Sequence, residues 1–384
     1  MTQHDTPIPV TRHNDPERLA ADQAAFVAAW PAFDSTTALD AMRASDFARL
    51  DAGGHVYLDY TGGGLYATRQ VERHAAFMAG GVFGNPHSGN PTSLEMTDHV
   101  EATRARVLQF FNADPDEYTV VFTPNASGAL KLVGEAYPFR PGGCFALTED
   151  NHNSVNGIRE FAAAKNSNAV YIPLDPEELR LKTEAAMLTL ESDWWTGDKL
   201  FAYPAQSNYT GVKHPLELVK VAQGLGWDVM LDCAAYAPTS ALDFSVVGPD
   251  YASFSFYKMF GYPTGLGALI AKRDKLRKLD RPWFAGGTIQ IASVQAWDHY
   301  MADDEAAFED GTINYLMIPA IDHGLDMLEE IGMDTISTRV ECLTGWLLDE
   351  LQQLEHDNGR KLVEIHGPAT VSYTHLTLPT ILRV

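Results

Sequence analysis

At 384 residues the chain is long enough to bury one large core or two, and 28 Lys and Arg against 51 Asp and Glu leave a formal charge of −23. That acidity argues against the nucleic-acid backbone and anionic membranes as partners, and no run approaches the roughly 20 apolar residues of a bilayer span. The three cysteines, Cys144, Cys233 and Cys342, show neither a disulfide framework nor a metal-site spacing, and the polar start lacks a signal peptide's apolar core, so a cytoplasmic protein with reduced thiols is expected.

Residues 1–50 carry two helix-like stretches, PERLAADQAAFVAAWPAF and STTALDAMRASDFARL, expected as an N-terminal helical segment. HVYLDYTGGGLY reads as a short strand entering a glycine turn, and SLEMTDHVEATRARVLQFFNA has helical periodicity. Strand-like and helix-like segments then alternate: YTVVFTP with ASGALKLVGEAYPF, GGCFALTED with SVNGIREFAAAKN, AVYIPLD with a polar helical stretch, and KLFAYPAQ with HPLELVKVAQGLG. DVMLDCAAY, YASFSFY and GALIAKR complete the series. Such alternation predicts an α/β domain over 51–290, with a mostly parallel central sheet flanked by helices. From about residue 291 it stops, and helical segments such as LMIPAIDHGLDMLEEIG predict linking helices and the start of a truncated smaller α+β domain over 291–370. The stretch VSYTHLTLPTILRV breaks register with everything before it, and residues 371–384 are expected to be a non-native tail.

In open α/β sheets ligands gather outside the carboxyl ends of the strands, so the polar residues there carry the search for chemistry. Asn125, Ala126 and Ser127 follow YTVVFTP and open a helix, which suits an anion, although Ser or Asn at such a place is more often a plain N-cap. His152 follows FALTED, and a lone loop histidine is more often simply solvated. Gln206 and Asn208 follow LFAYP, where amides often satisfy loop backbone. Asp232 ends DVMLD, and a carboxylate ending a buried strand needs a partner. Ser255 and Lys258 follow YASF, with Gly261, Gly265 and Gly267 beyond them. The lysine is suited either to a phosphate, as a point charge, or to a carbonyl, as an amine nucleophile. The glycines follow the lysine and match neither the P-loop nor the dinucleotide fingerprint. One cofactor uses the whole ordered set: pyridoxal 5'-phosphate (PLP), which needs a Schiff-base lysine, a carboxylate for its ring nitrogen and a phosphate cup.

These residues lie in the motifs YLDYTGGGLY, GNPHSGNPTS, FTPNASGALKLVGEAYPF, DNHNSVNGIRE, FAYPAQSNYTGVKHPL, LDCAAYAPTSALDFS, SFYKMFGYPTGLGALI and FEDGTINYLMIPAI. Over about residues 55–330 the chain resembles the class V aminotransferase superfamily of fold-type I PLP enzymes. Within it the nearest resemblance is to the cysteine desulfurase-like domain of molybdenum cofactor sulfurases. The resemblance implies Lys258 as the Schiff-base lysine, Asp232 as partner of the pyridine nitrogen and His152 stacked on the ring. It implies Ala126 (through its N–H), Ser127 and Ser255 at the phosphate, and Asn208 near the phenolic oxygen or the substrate carboxylate. Thr312 would reach the phosphate across a homodimer interface. The implied reaction is desulfuration of L-cysteine toward a sulfur acceptor, with transamination, other α-carbon chemistry such as racemase or lyase activity, or PLP binding without turnover as alternatives. The family's carboxylate-gripping arginine and mobile-loop cysteine would lie beyond Val371. Cys144 and Cys342 read as core residues, and Cys233 should turn away from the face that Asp232 presents.

Overall fold

The computed structural model describes residues 16–86 and 88–371. The expected tail therefore lies outside the described residues except for Val371, as do residues 1–15 of the N-terminal segment. Seven strands form the main sheet: β1 (Tyr118–Thr123), β2 (Cys144–Thr148), β3 (Asn168–Ile172), β4 (Lys199–Pro204), β5 (Asp228–Asp232), β6 (Tyr251–Ser255) and β7 (Gly267–Lys272). They lie in the order β1-β7-β6-β5-β4-β2-β3. Strands β2 to β6 pair in parallel, and β7 runs antiparallel to both its neighbours. The mostly parallel sheet expected from the alternation is present.

Continuous apolar runs become strands here because both faces of the sheet are covered. Val120, Phe122, Val229, Leu231, Ala252 and Phe254 enter one core. Their strand neighbours Val121, Met230 and Tyr251 point the other way into a second. The second core is closed by the helix Ala126–Ala136 through Leu130 and Val133. The first is closed by Pro91–Phe110 and by Ala320–Ile331, whose Ile321, Leu325 and Leu328 are buried in it. Residues read as linking helices thus share the core of the large sheet, packing on its covering helices Thr68–Gly80, Pro91–Phe110 and Phe256–Phe260.

Two expectations need correction. The N-terminal segment is more broken than its periodicity suggests, with helices Pro16–Ala29, Ala38–Asp46 and Arg49–Ala52 and a 3-10 turn at Pro31–Thr36. HVYLDYT forms no strand. Val56 and Leu58 are exposed, so its alternation has no core to face. The segment instead leads the glycine turn onto the Lys258 loop, where Gly64 N–H donates to the Tyr257 carbonyl at 3.0 Å.

Candidate active site

The ladder register gathers the expected residues at one edge of the sheet. Asp232 ends β5 opposite Pro204 on one side and Ser253 on the other. Ser255 ends β6 opposite Gly267, which also pairs with Thr123 at the end of β1. Asn125 then caps the helix Ala126–Ala136, its Oδ1 accepting from Gly128 N–H at 3.0 Å. This turn closes on the sheet because residue 267 is glycine. A Cβ there would lie 2.4 Å from the Phe254 carbonyl oxygen and 2.6 Å from Asn125 Cα. Gly261 makes a similar closure possible behind Lys258, with φ of 78° and a hypothetical Cβ 2.3 Å from the Leu65 carbonyl carbon.

The cup is preassembled. Ala126 N–H, expected at a phosphate, donates to Ser255 Oγ at 2.9 Å, so two of the expected phosphate ligands are bonded to each other. Ser127 Oγ lies 2.6 Å from Ser154 Oγ. His152 is joined to the same pair: its Nδ1 accepts from Ser154 N–H at 3.1 Å and lies 3.0 Å from Ser154 Oγ. A backbone N–H can donate only to an unprotonated ring nitrogen, so the imidazole carries its proton on Nε2. Ser154 was not singled out from the sequence, although the Ser two places after His152 was the available signal.

Asp232 is buried, and its Oδ1 accepts from Ala234 N–H and Ser253 Oγ, each at 3.1 Å. Oδ2 takes no hydrogen bond from the described residues. Lys258 stands on the short helix Phe256–Phe260. Burial pushes its ammonium below the ordinary lysine range, and the Asp232 charge offsets part of that shift. A cation placed just past a core strand is thus a lysine whose burial favours the neutral amine more than exposure to water would.

Ala126, Ser127, His152, Asn208, Asp232, Ser255 and Lys258 line one cleft of about 130 Å³, together with Asn125, Gln206 and Tyr257. A larger, mainly apolar cavity of about 430 Å³, lined by Met42, Phe47, Met327 and Val340, shares only Lys258 with it. The acid, imidazole, amides and hydroxyls converge in the smaller space, and chemistry belongs there. Thr312 does not: it lines a separate depression with Gly265, Asp310 and Asn314. All three cysteines are buried. Burial pushes the Cys144 thiol up to about 12, and burial with the Asp232 charge raises Cys233 well above the ordinary range.

The set fits pyridoxal 5'-phosphate on chemical grounds. An uncommitted carboxylate oxygen suits a protonated ring nitrogen, a helix start with hydroxyls suits a phosphate, and a desolvated amine suits an aldehyde. The family description Aminotransferase class-V matches residues 56–374. The chain belongs to the class V aminotransferase family. It accordingly has the fold-type I architecture of the PLP-dependent class. Molybdenum cofactor sulfurase of Bos taurus is 37% identical over an alignment of 362 positions that covers 89% of this chain and 40% of that protein. The Arabidopsis thaliana molybdenum cofactor sulfurase is 34% identical over an alignment of 383 positions that covers 91% of this chain and 46% of the relative. The chain thus spans less than half the length of these relatives. The apo structure of a cysteine desulfurase from Thermococcus onnurineus NA1 superposes with a TM-score of 0.75 at 25% identity, covering 88% of this chain and 80% of that one. No helix among the described residues is long and apolar enough to cross a membrane.

Proposed function

We propose that this chain desulfurates L-cysteine in the manner of the molybdenum cofactor sulfurases, passing the sulfur to a thiol acceptor. The observation that carries this reading is the desolvated Lys258 amine beside the Asp232 carboxylate, in a chain similar to sulfurases over most of its length. Lys258 would hold the cofactor covalently, Ser127 and Ser255 its phosphate, and Asp232 the proton on its ring nitrogen. Bound PLP supplies an electron sink for the bonds at the substrate's α-carbon. The lowered lysine pKa keeps more of the amine unprotonated near neutral pH, so that Lys258 Nζ can accept the α-proton. His152 covers one face of the cleft with its ring fixed by Ser154, and Asn208 offers an amide for the phenolic oxygen or the substrate carboxylate.

The sulfur step balances without an outside oxidant. A thiolate forms a bond to the substrate sulfur while the Cβ–S bond breaks. The released electron pair stays on the substrate carbon, which takes up a proton and ends as the methyl group of alanine. L-cysteine and a thiol thus become L-alanine and a persulfide. Cys144, Cys233 and Cys342 are buried with raised thiol pKa values, so the acceptor is a thiol other than these. With PLP, L-cysteine and added dithiothreitol, alanine and sulfide should appear in equal amounts. Without added thiol, persulfide should be negligible. Mercaptopyruvate in place of alanine would point to transamination and contradict the proposal.

The same reading includes a homodimer. Thr312 stands outside its own chain's cleft, which fits a role at a neighbour's phosphate. Gly311 packs against Gly286 at the base of a hairpin, Ile289–Ala292 with His299–Met301, whose Val294 and Trp297 are fully exposed. Apolar surface of this kind supports burial against a second copy. Mixing Thr312→Val with Lys258→Ala protein should restore activity in hybrid dimers, and a monomer by sedimentation that retains tight PLP binding would count against it. The unpaired thiols support a cytoplasmic location, which cell fractionation checks.

A further inference from the structure

Outside the cleft, a buried ionisable pair that the proposed chemistry does not use joins two of its loops. His214 Nε2 lies 2.8 Å from Asp150 Oδ2, with the two side chains 0% and 4% exposed. His214 Nδ1 accepts from Leu181 N–H at 3.0 Å. The imidazole therefore carries its proton on Nε2, aimed at the carboxylate. Burial acts to raise the Asp150 carboxyl, but the hydrogen bond and electrostatic attraction of His214, followed by Thr148 and Ser207, outweigh it and hold it below the ordinary range. The result is an N–H donor and a carboxylate acceptor with one allowed geometry.

That geometry joins two loops of the cleft. Asp150 stands two residues before His152, in the loop after β2. The intervening Asn151 donates from Nδ2 to the Thr148 carbonyl at 3.0 Å and to the Ala202 carbonyl at 3.2 Å. His214 closes the hairpin after β4, its N–H donating to the Ala205 carbonyl at 3.0 Å while Ser207 N–H donates to the Val212 carbonyl at 2.9 Å. Asn208 stands at the turn of that hairpin. Apolar packing of the same volume would often stabilise as well as a buried ion pair, but it has no preferred direction or register. A directional bond at this junction fixes one loop against the other.

We propose that Asp150 and His214 form a positioning clamp, setting where His152 and Asn208 stand about bound PLP without touching it. The proposal rests on the cleft being the cofactor site. The test measures PLP affinity by equilibrium dialysis and the circular dichroism of the bound cofactor, with thermal unfolding of the cofactor-free proteins alongside. His214→Ala and Asp150→Ala should bind PLP about 10-fold more weakly or worse, the scale on which partners behind a ligating residue tune a site, and should lose much of the cofactor's dichroic band. His214→Gln can still donate to Asp150 and accept from Leu181, and should recover most of both. An alanine variant that folds and keeps wild-type affinity and dichroism would overturn the clamp. So would a glutamine variant as impaired as the alanine ones, because that pattern reports packing alone. If neither alanine variant folds, His214→Gln decides, since the clamp requires it to keep a near-native cofactor band. Failure of the unaltered protein to bind PLP would refute the cofactor site itself, a result distinct from failure of the clamp.

Discussion

Asp232→Asn should leave PLP bound yet slow the exchange of a substrate's α-proton by about 10²–10³-fold, the usual cost of removing one preorganised electrostatic group from a desolvated site. The carboxylate is fixed in the unliganded protein, with Oδ1 held by Ser253 and the Ala234 N–H, and on the proposed reading Oδ2 is the oxygen that meets the ring nitrogen. Asparagine preserves size and hydrogen bonding but removes the charge that keeps a proton on that nitrogen. Binding should survive because the phosphate cup and Lys258 lie on other strand ends. Deuterium incorporation at the α-carbon, followed by NMR, measures the effect. Exchange at the unaltered rate would show that another group holds the nitrogen.

Glu309→Ala should cost the cofactor-free protein about 3 kcal/mol, the low end of the range for breaking a buried ion pair, because Glu101 stays beside Arg104 at 3.1 Å. Glu309 Oε1 accepts from Arg104 Nη1 at 2.8 Å and from Phe122 N–H at 2.9 Å, and Oε2 from Arg104 Nη2 at 3.2 Å. Both side chains are less than a tenth exposed. Burial acts to lower the Arg104 pKa, and Glu309 with Glu101 raises it above the ordinary range; a guanidinium is basic enough to stay charged at neutral pH even when Glu309 is removed. Replacing both partners, as Arg104→Met with Glu309→Leu, should cost far less, since no buried charge is then stranded. Urea unfolding of the three proteins checks this. A loss below about 1 kcal/mol for Glu309→Ala would place the pair among weak surface contacts. The pair also fastens the segment bearing Thr312 to β1, so its loss should disturb whatever Thr312 reaches.

The sheet was legible because its strands are apolar runs separated by helical periodicity, a pattern that has few packing solutions. Asp232, Ser255 and Lys258 were legible for a related reason: a polar residue ending such a run falls at the sheet's carboxyl edge. HVYLDYT misled because alternation reports a strand only where a neighbour and a core exist, and Val56 has neither. Ser154, which links His152 to Ser127, and Glu309, which pins its segment to Arg104, act through contacts that carry no spacing signal. The Asp150–His214 bond joins residues 64 positions apart. Only the fold brings such partners together. Thr312 was read from a family motif, and its place outside its own chain's cleft is visible only in the folded chain.

The central claim is that Lys258 is the amine that holds the cofactor. Purified protein incubated with PLP should turn yellow, and borohydride reduction followed by peptide mapping should place a single pyridoxyl group on Lys258, absent from Lys258→Ala. A label on any other lysine, with Lys258 unmodified, would contradict the account.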